Sequence, residues 1–264
     1  LFYRADVMIE ISNSDKDFAT LAREDVLWID LLDPTGEEKR AAEGFLDTEI
    51  QSRAKAEEIE SSSRYFETAR AIFANTNFLI PGPEEYVMEA VSFTLVENVL
   101  VTVREVPLRS ITELQRKVYA MPQLFPNGYS VFVNILDQRV DLDADMIELM
   151  SKEIAQYSRK INLGEDINEE FLLDISQLQE NPMLVRENVV DKQRVISSIL
   201  KSDIFPKDLM ERLQVSLRDI TSLINHTNFS FERLEYLQDT VLGIINLDQN
   251  NIMKLFTLVS VLLM

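Results

Sequence analysis

Two patterns of apolar and polar residues follow one another along the chain, and the change comes near Gly128. Before it, short apolar runs and alternating β-forming residues predominate, which indicates strands mixed with helices. After it, apolar residues recur at helical spacing with acidic residues between them, which indicates a series of helices. The chain is therefore predicted to have an α+β fold in which the helical part follows the sheet.

Several short motifs define the elements of the first half. "VLWIDLLDP" predicts a buried strand with Trp28 in the core, and the Thr35–Glu38 spacing that follows predicts a capping box and a helix. "RYFETARAIFANTNFLI" suits a strand, and "LIPGPEEY" a loop. In "VMEAVSFTLVENVLVTVRE", β-forming residues flank Glu97-Asn98, which predicts a hairpin with a two-residue turn.

Prolines punctuate the helical half. Pro182 lies inside a helical pattern, so we expect a kink or a short break there. Pro206 stands where a helix start tolerates proline, and one Gly and no further Pro follow it. If residues 206–264 form one helix, it is roughly 90 Å long at 1.5 Å per residue.

The last predicted helix carries a narrow stripe of small, polar or Met residues on an otherwise apolar surface. The positions step by three or four and so share one face. In lipid, such a stripe repeated around a symmetry axis would face a water-filled centre. A coiled-coil seam in a soluble bundle explains the same spacing. The stripe comprises Asp239, Gly243, Asn246, Asn250, Met253, Thr257, Ser260 and Met264.

Composition excludes several kinds of site. The formal net charge of -19 repels nucleic acid, so no nucleic-acid partner is expected. With no cysteine and a single histidine, thiolate metal sites and Ser/His or Cys/His catalytic pairs are not supported, and no enzyme is predicted. His226 is interpreted as a surface or interface residue, and the acidic run at residues 141–153 as a solvated helix face.

The stretch "LRDITSLINHTNFSFERLEYLQDTVLGIINLDQNNIMKLFTLVSVLLM" resembles the stalk and first membrane helix of CorA-type magnesium transporters. "VLWIDLLDPTGEE", "IESSSRYFE" and "VSFTLVENVLVTVRE" resemble the cytoplasmic strands of that family in the same order. The resemblance implies a cytoplasmic αβα sandwich with a mixed sheet, followed by long stalk helices, in a funnel-shaped homopentamer. The implied domains are residues 1–127 (αβα domain), 128–248 (helical stalk) and 249–264 (start of a truncated first membrane helix).

The resemblance also gives roles to the stripe. Asn250 and Met253 match the cytoplasmic mouth and hydrophobic constriction of the family's pore, and Asp239 an acidic ring deeper in the stalk. The full-length protein is then expected to be a multi-pass protein of the inner membrane, with this chain on the cytoplasmic side. The expected pore-lining residues are Asp239, Asn246, Asn250, Met253, Thr257, Ser260 and Met264.

In the family, divalent cations bound between adjacent cytoplasmic domains hold the closed state, so Mg²⁺ is expected as both transported and regulatory ion. The transported ion stays open among Mg²⁺, Co²⁺, Ni²⁺ and Zn²⁺, although the lack of Cys favours a hard ion. Alternatives are a zinc transporter of the same superfamily and a soluble helical oligomerisation scaffold. The candidate regulatory ligands are Asp219, Asp208 and Glu211 on the stalk and, on the sheet-domain side, where Asn75 and Asn77 stand, Glu84 and Glu85.

Overall fold

The computed structural model describes residues 21–51, 64–82, 86–164 and 167–264, together with the backbone of residues 2–4 and 8–9. These residues fold into two compact units. Leu1–Asp143 and Glu187–Ser222 form the first, and Ala144–Arg186 and Leu223–Met264 form the second. The predicted domain boundaries stay a prediction, because they divide the chain by function rather than by packing.

The first unit contains a seven-stranded mixed sheet with the strand order β2-β1-β3-β7-β6-β5-β4. β3 and β7 pair in parallel, and every other pair is antiparallel. The predicted hairpin is confirmed, since β6 and β7 flank Glu97, whose φ of 54° closes the turn. The strands are β1 (Phe2–Arg4), β2 (Met8–Ile9), β3 (Val26–Leu32), β4 (Tyr65–Glu67), β5 (Ala71–Pro81), β6 (Tyr86–Val96) and β7 (Val99–Arg104).

Helices cover both faces of this sheet, as the predicted αβα sandwich requires. Because side chains alternate along a strand, Ile29 and Val101 face one side, where Ala42 and Leu46 of helix α1 (Gly36–Leu46) complete a core cluster. On the opposite side, Phe93 packs edge-on against Phe132 at 5.1 Å between ring centroids. The capping box of Thr35 and Glu38 starts α1 as predicted, and Glu38 accepts a 2.7 Å hydrogen bond from the Thr35 amide.

A buried ion pair joins the two parallel strands. Asp30 on β3 accepts two hydrogen bonds from the Arg104 guanidinium of β7, at 3.1 and 2.7 Å. Thr102 and Gln115 also donate to Asp30, at 2.6 and 2.8 Å, and Trp28 donates its indole N–H to Thr102. The core position predicted for Trp28 is therefore confirmed. Its polar partners were not predicted, because they lie more than 70 residues away along the chain.

The segment predicted as one strand from Arg64 onwards is instead a hairpin. β4 ends at Glu67 and β5 begins at Ala71, and the Thr68 amide donates to the Ala71 carbonyl at 2.8 Å. The Thr68 hydroxyl accepts from the Ala71 amide at 3.1 Å, which stabilises the turn. The single-strand prediction is wrong because a threonine side chain supplies a turn within a β-forming sequence. β5 also continues through Pro81, so the predicted loop at residues 79–86 is too long.

The outer edge of β5 is covered by side chains of two helices. β4 pairs only with Ile72, Phe73 and Ala74 of β5. Further along the same edge, the carbonyl of Asn77 accepts from Lys192 at 3.1 Å and the carbonyl of Leu79 accepts from Arg139 at 2.8 Å. Backbone groups beyond the short edge strand thus have hydrogen-bond partners in the core.

Six α-helices occur among the described residues, together with two short 3₁₀ helices at Arg23–Asp25 and Pro122–Leu124. The break predicted near Pro182 is confirmed, since one helix ends at Leu178 and the next begins at Glu180. The last helix begins directly after Pro206 and is continuous over 56 residues, also as predicted. The helices after α1 are α2 (Arg109–Ala120), α3 (Gly128–Leu163), α4 (Glu169–Leu178), α5 (Glu180–Ile199) and α6 (Lys207–Leu262).

Among its described residues, the second unit contains helices joined by short connections and no strand. Its core consists of apolar side chains from α3, α4, α5 and α6, with the ring of Tyr157 5.3 Å from that of Phe171. Gln238 of α6 accepts a hydrogen bond from Gln179 at 3.2 Å and donates one to Ser176 at 3.3 Å. These bonds tie α6 to the turn between α4 and α5, upstream of the predicted pore-lining residues.

Candidate functional site

The predicted stripe lies on the last part of α6. At 100° per residue, its members from Asp239 to Met264 fall within an arc of about 100° on the helix. All of them are exposed in this chain. A narrow polar face that is exposed along the last part of α6 is available to line a path or to pack against another molecule.

Two hydroxyl groups on this face share one hydrogen-bonding arrangement. Thr257 donates its hydroxyl hydrogen to the Met253 carbonyl, and Ser260 donates to the Phe256 carbonyl, both at 2.8 Å. Each hydroxyl oxygen keeps lone pairs that are free to accept. Together with the amide oxygens of Asn246 and Asn250, the face presents acceptors, which suit the water hydrogens of a hydrated cation.

From Leu255 to Leu263, the side chains around this stripe are apolar and exposed. Phe256 is 66% exposed, Leu258 58% and Leu262 76%. Among the described residues, no helix contains a stretch that is both long and apolar enough to span a bilayer.

The structure places the regulatory candidate Asp219 in a defined cavity. The cavity has a volume of about 230 Å³ and lies between α3 and α6 in the first unit. Asp137 of α3 accepts from Ser216 at 2.6 Å and pairs with Arg212 at 2.5 Å on the α6 wall. Asp141 also lines it. Asp137 and Asp141 were missed, because only the packing of α3 on α6 brings them near Asp219.

Asp208 and Glu211 do not line this cavity. Asp208 lies in the first turn of α6, where the helix dipole favours a carboxylate, and Glu211 is exposed one turn later. Glu84 and Glu85 lie outside the described residues. Within the part of the chain that is described, no group of three or more acidic, His or Cys side chains is arranged to hold a metal ion.

Two asparagines considered for the sheet-domain side of the regulatory site have partners inside the chain. Asn75 is buried and donates to Gln51 at 2.6 Å, and Asn77 donates to Asp191 at 3.3 Å. His226 is exposed on α6, as its interpretation as a surface residue requires.

The interpretation of residues 141–153 as a solvated face is wrong for Asp143. This side chain is fully buried and accepts from Asn188 at 2.9 Å. Lys192 Nζ lies 2.9 Å from its other carboxylate oxygen. The acidic run gave no sign of this, because Asn188 and Lys192 lie on a helix more than 40 residues later.

A comparison with known families identifies the chain. The family described as "CorA-like Mg2+ transporter protein" matches residues 23–264. The chain belongs to this family. The magnesium transport protein CorA of Wolinella succinogenes is 34% identical over 241 residues, which cover 89% of this chain and 75% of the relative.

Solved structures of CorA-like proteins share the fold. The complete CorA magnesium transporter of Methanocaldococcus jannaschii superposes with a TM-score of 0.76 at 18% identity, covering 91% of this chain and 77% of that one. The cytoplasmic domain of ZntB from Vibrio parahaemolyticus gives a TM-score of 0.63 at 16% identity, covering 83% and 87%. This chain therefore shares its fold with the regions of these CorA and ZntB structures that it covers.

Proposed function

We propose that this CorA-like chain is the cytoplasmic regulatory part of a homopentameric magnesium channel. In the pentamer, the polar face of α6 lines the ion path, and divalent cations bound between subunits hold the closed state. The observation that carries the proposal is the acceptor-rich stripe on the exposed, otherwise apolar end of α6.

The chemistry of the stripe suits a hydrated divalent cation. Mg²⁺ gives up its water ligands reluctantly, so a path that accepts hydrogen bonds from those waters can guide it without dehydration. Asn246, Asn250, Thr257 and Ser260 offer such acceptors. A ring of Met253 side chains cannot replace the hydration shell, and a narrow apolar ring gates by dewetting. The membrane potential drives entry with about 2.3 kcal/mol per charge per 100 mV.

Self-association would cover surface that α6 leaves exposed. Phe229 and Tyr236 are 62% and 69% exposed at a spacing of seven residues on α6. Another seven residues lead to Gly243 and then to Asn250, so the aromatic pair continues towards the polar stripe. A homopentamer that buries this face would place five copies of Asn250 around one axis.

Electrostatic repulsion supports a regulatory role for cations. Five copies of a chain with a formal charge of -19 repel one another unless counterions gather at their contacts. Asp219 on the exposed rim of its cavity is the leading ligand, with Asp208 and Glu211 as neighbours on α6 and Glu84 and Glu85 on the sheet-domain side. A site shared by two subunits needs only part of its ligands from each chain.

The test of conduction is Mg²⁺ flux into liposomes that contain the full-length protein, with an inside-negative potential. Asn250→Ala is expected to change the flux at least tenfold, because it removes an acceptor from the path. His226→Ala is the matched control, since His226 is also exposed on α6 but lies about 140° around the helix from Asp239. Equal effects of the two substitutions would contradict the assignment of the face.

Regulation is tested by limited proteolysis with and without millimolar Mg²⁺. Mg²⁺ is expected to slow cleavage of the wild type several-fold, and Asp219→Asn to reduce that protection. Asp145→Asn, which removes the same charge from another exposed position, is the control. Protection that is unchanged in Asp219→Asn would place the cations elsewhere.

The same flux assay separates the alternatives. Zn²⁺ and Co²⁺ are compared with Mg²⁺, because ZntB shares the fold. Selective Zn²⁺ flux would indicate a zinc transporter. No flux of any ion from a verified pentamer would favour a helical oligomerisation scaffold.

A further inference from the structure

A small hydrogen-bonded cluster ties α6 to the turn between α4 and α5 in the second unit. Gln179 donates its side-chain amide to Gln238 Oε1 at 3.2 Å, and Gln238 Nε2 donates to Ser176 Oγ at 3.3 Å. Ser176 donates its own hydroxyl hydrogen to the Leu172 carbonyl at 3.0 Å, so its oxygen can only accept from Gln238. The amide of Gln238 therefore has one orientation, with its nitrogen towards Ser176 and its oxygen towards Gln179.

The α6 residues around this cluster form a regular buried seam. Buried side chains recur at steps of three and four residues, which is the spacing of helices that pack along one stripe. The seam comprises Thr227, Ser230, Leu234, Leu237 and Val241. Gln238 lies beside the seam, one position after Leu237, and is half-buried. It is therefore placed to select one way of packing the seam rather than to form the seam itself.

The apolar seam alone admits more than one register of α6. Its two leucines, Leu234 and Leu237, are followed seven residues later by Val241 and Ile244. A helix displaced along its axis by seven residues, about 10 Å, would still place apolar side chains at both positions. Apolar side chains of similar volume replace one another in a core at a modest cost. Apolar packing therefore specifies the buried face of α6 more strongly than its height.

The polar cluster does not admit this displacement. The residues seven positions before and after Gln238 are Phe231 and Ile245. Neither has a side-chain donor or acceptor, so in either displaced register Gln179 and Ser176 would lose their partner on α6. In coiled coils, polar residues at and beside the seam specify register and orientation in the same way.

We propose that Gln238 is a positioning residue that fixes the register of α6 against α4 and α5, and with it the height of the polar stripe that begins at Asp239. The consequence for the ion path rests on the proposed function. Because α6 is continuous over Lys207–Leu262, its register at Gln238 also sets the height of Asn250. Displacement by one heptad would bring Asn246 to the height of Asp239, so the rings formed by neighbouring subunits would no longer match.

Spin labels can measure the register directly, because the chain has no cysteine and labels attach only where one is introduced. Glu170→Cys on α4 and Glu235→Cys on α6 replace two exposed residues of the second unit. In this background one narrow distance distribution is expected, and Gln238→Leu should at least double its width or add a second distance. Gln214→Leu, at an exposed glutamine of the same helix, is the control. A distribution that Gln238→Leu leaves unchanged would overturn the proposal.

Two comparisons distinguish a role in register from a role in stability. The urea midpoint of Gln238→Leu should equal or exceed that of the wild type, because polar residues that specify register do so at a cost in stability. A lowered midpoint with an unchanged distance distribution would indicate a purely structural role. Gln238→Glu keeps an acceptor for Gln179 and can accept the hydroxyl hydrogen of Ser176, so it should retain the narrow distribution. A distribution as broad as that of Gln238→Leu would show that these bonds do not set the register.

A measurement on the unmutated chain does not depend on any variant folding. In NMR spectra, the side-chain amide hydrogens of Gln238 are expected to exchange with water at least tenfold more slowly than those of the exposed Gln214. Equal exchange rates would show that the Gln238 bonds do not persist in solution, which would overturn the proposal.

Mg²⁺ flux through the full-length protein separates this inference from the proposed function. Gln238→Leu is expected to lower the flux several-fold, because it displaces the stripe without altering any residue in it. A broadened distance distribution with unchanged flux would uphold the register role of Gln238 and contradict the place of the stripe on the ion path.

Discussion

The two ends of α6 differ in what surrounds them. From Leu213 to Val241, apolar side chains at helical spacing are buried by other parts of the same chain. From Asn246 to Met264, no side chain of this described segment is buried, although most of the residues are apolar. The helix is continuous through both segments. Apolar residues recur at helical spacing in both segments. The apolar pattern alone therefore does not show whether a segment is covered by the same chain or by another molecule.

The difference separates the part of α6 whose apolar residues are accounted for by packing within this chain from the part whose apolar residues are not. Substitutions in the buried segment and in the sheet should change the free energy of unfolding. Substitutions beyond Asn246 should leave it unchanged and alter assembly or conduction instead. Stability therefore reports on the buried regions, and flux on the exposed end of α6.

The largest effect is expected at the buried ion pair of the sheet. Asp30→Asn leaves the Arg104 guanidinium buried without a full counter-charge, and breaking one partner of a buried pair costs about 3–5 kcal/mol. Glu113→Gln breaks the exposed pair with Arg109 and should cost less than about 1 kcal/mol. Urea denaturation of both variants measures the two losses of unfolding free energy. Losses of similar size would show that burial does not control how much an ion pair contributes to stability.

The two ends of α6 give the next test. Leu234→Ala removes a fully buried side chain and is expected to lower the free energy of unfolding by about 2–5 kcal/mol. Leu258→Ala, at a position that is 58% exposed, should stay within about 0.5 kcal/mol of the wild type. Calorimetry on the dilute chain measures both. A large loss for Leu258→Ala would mean that this segment is already covered in solution.

A smaller effect is expected where α3 begins. A Cβ on Gly128 would lie 2.3 Å from the Leu100 amide nitrogen and 2.8 Å from the Asn98 carbonyl oxygen, both backbone atoms of the β6–β7 hairpin. Gly128→Ala should therefore cost about 1–3 kcal/mol. Gly44→Ala, inside α1 with open space around it, should stabilise by about 0.5–1 kcal/mol. Thermal unfolding of the two variants measures whether Gly128→Ala lowers the stability and Gly44→Ala raises it.

The local features of the fold were predictable from the sequence. The Thr35 capping box, the turn at Glu97 and the start of α6 after Pro206 depend on residues within a few positions of each other. The parallel pairing of β3 with β7 and the burial of Asp143 were not, because both depend on partners far along the chain. The sequence of an acidic run does not show which of its carboxylates face solvent and which are buried in an ion pair.

The candidate site divides in the same way. Spacing alone placed Asn250, Met253 and Thr257 on one face of a helix, and the structure has them there. The same spacing left pore and coiled coil equally open, since the partner is absent from the sequence. For Asp219, the cavity and its neighbours Asp137 and Asp141 come from the packing of α3 on α6.

The covered edge of β5 has a consequence for aggregation. An open strand edge is a template on which a strand of another chain can add, and Lys and Arg side chains are among the means that block it. Lys192 donates to the carbonyl of Asn77, and Arg139 donates to the carbonyl of Leu79. An incoming strand would therefore find both of these acceptors already occupied. A chain with an apolar helix end on its surface can then associate through helices at high concentration without adding strands to this edge.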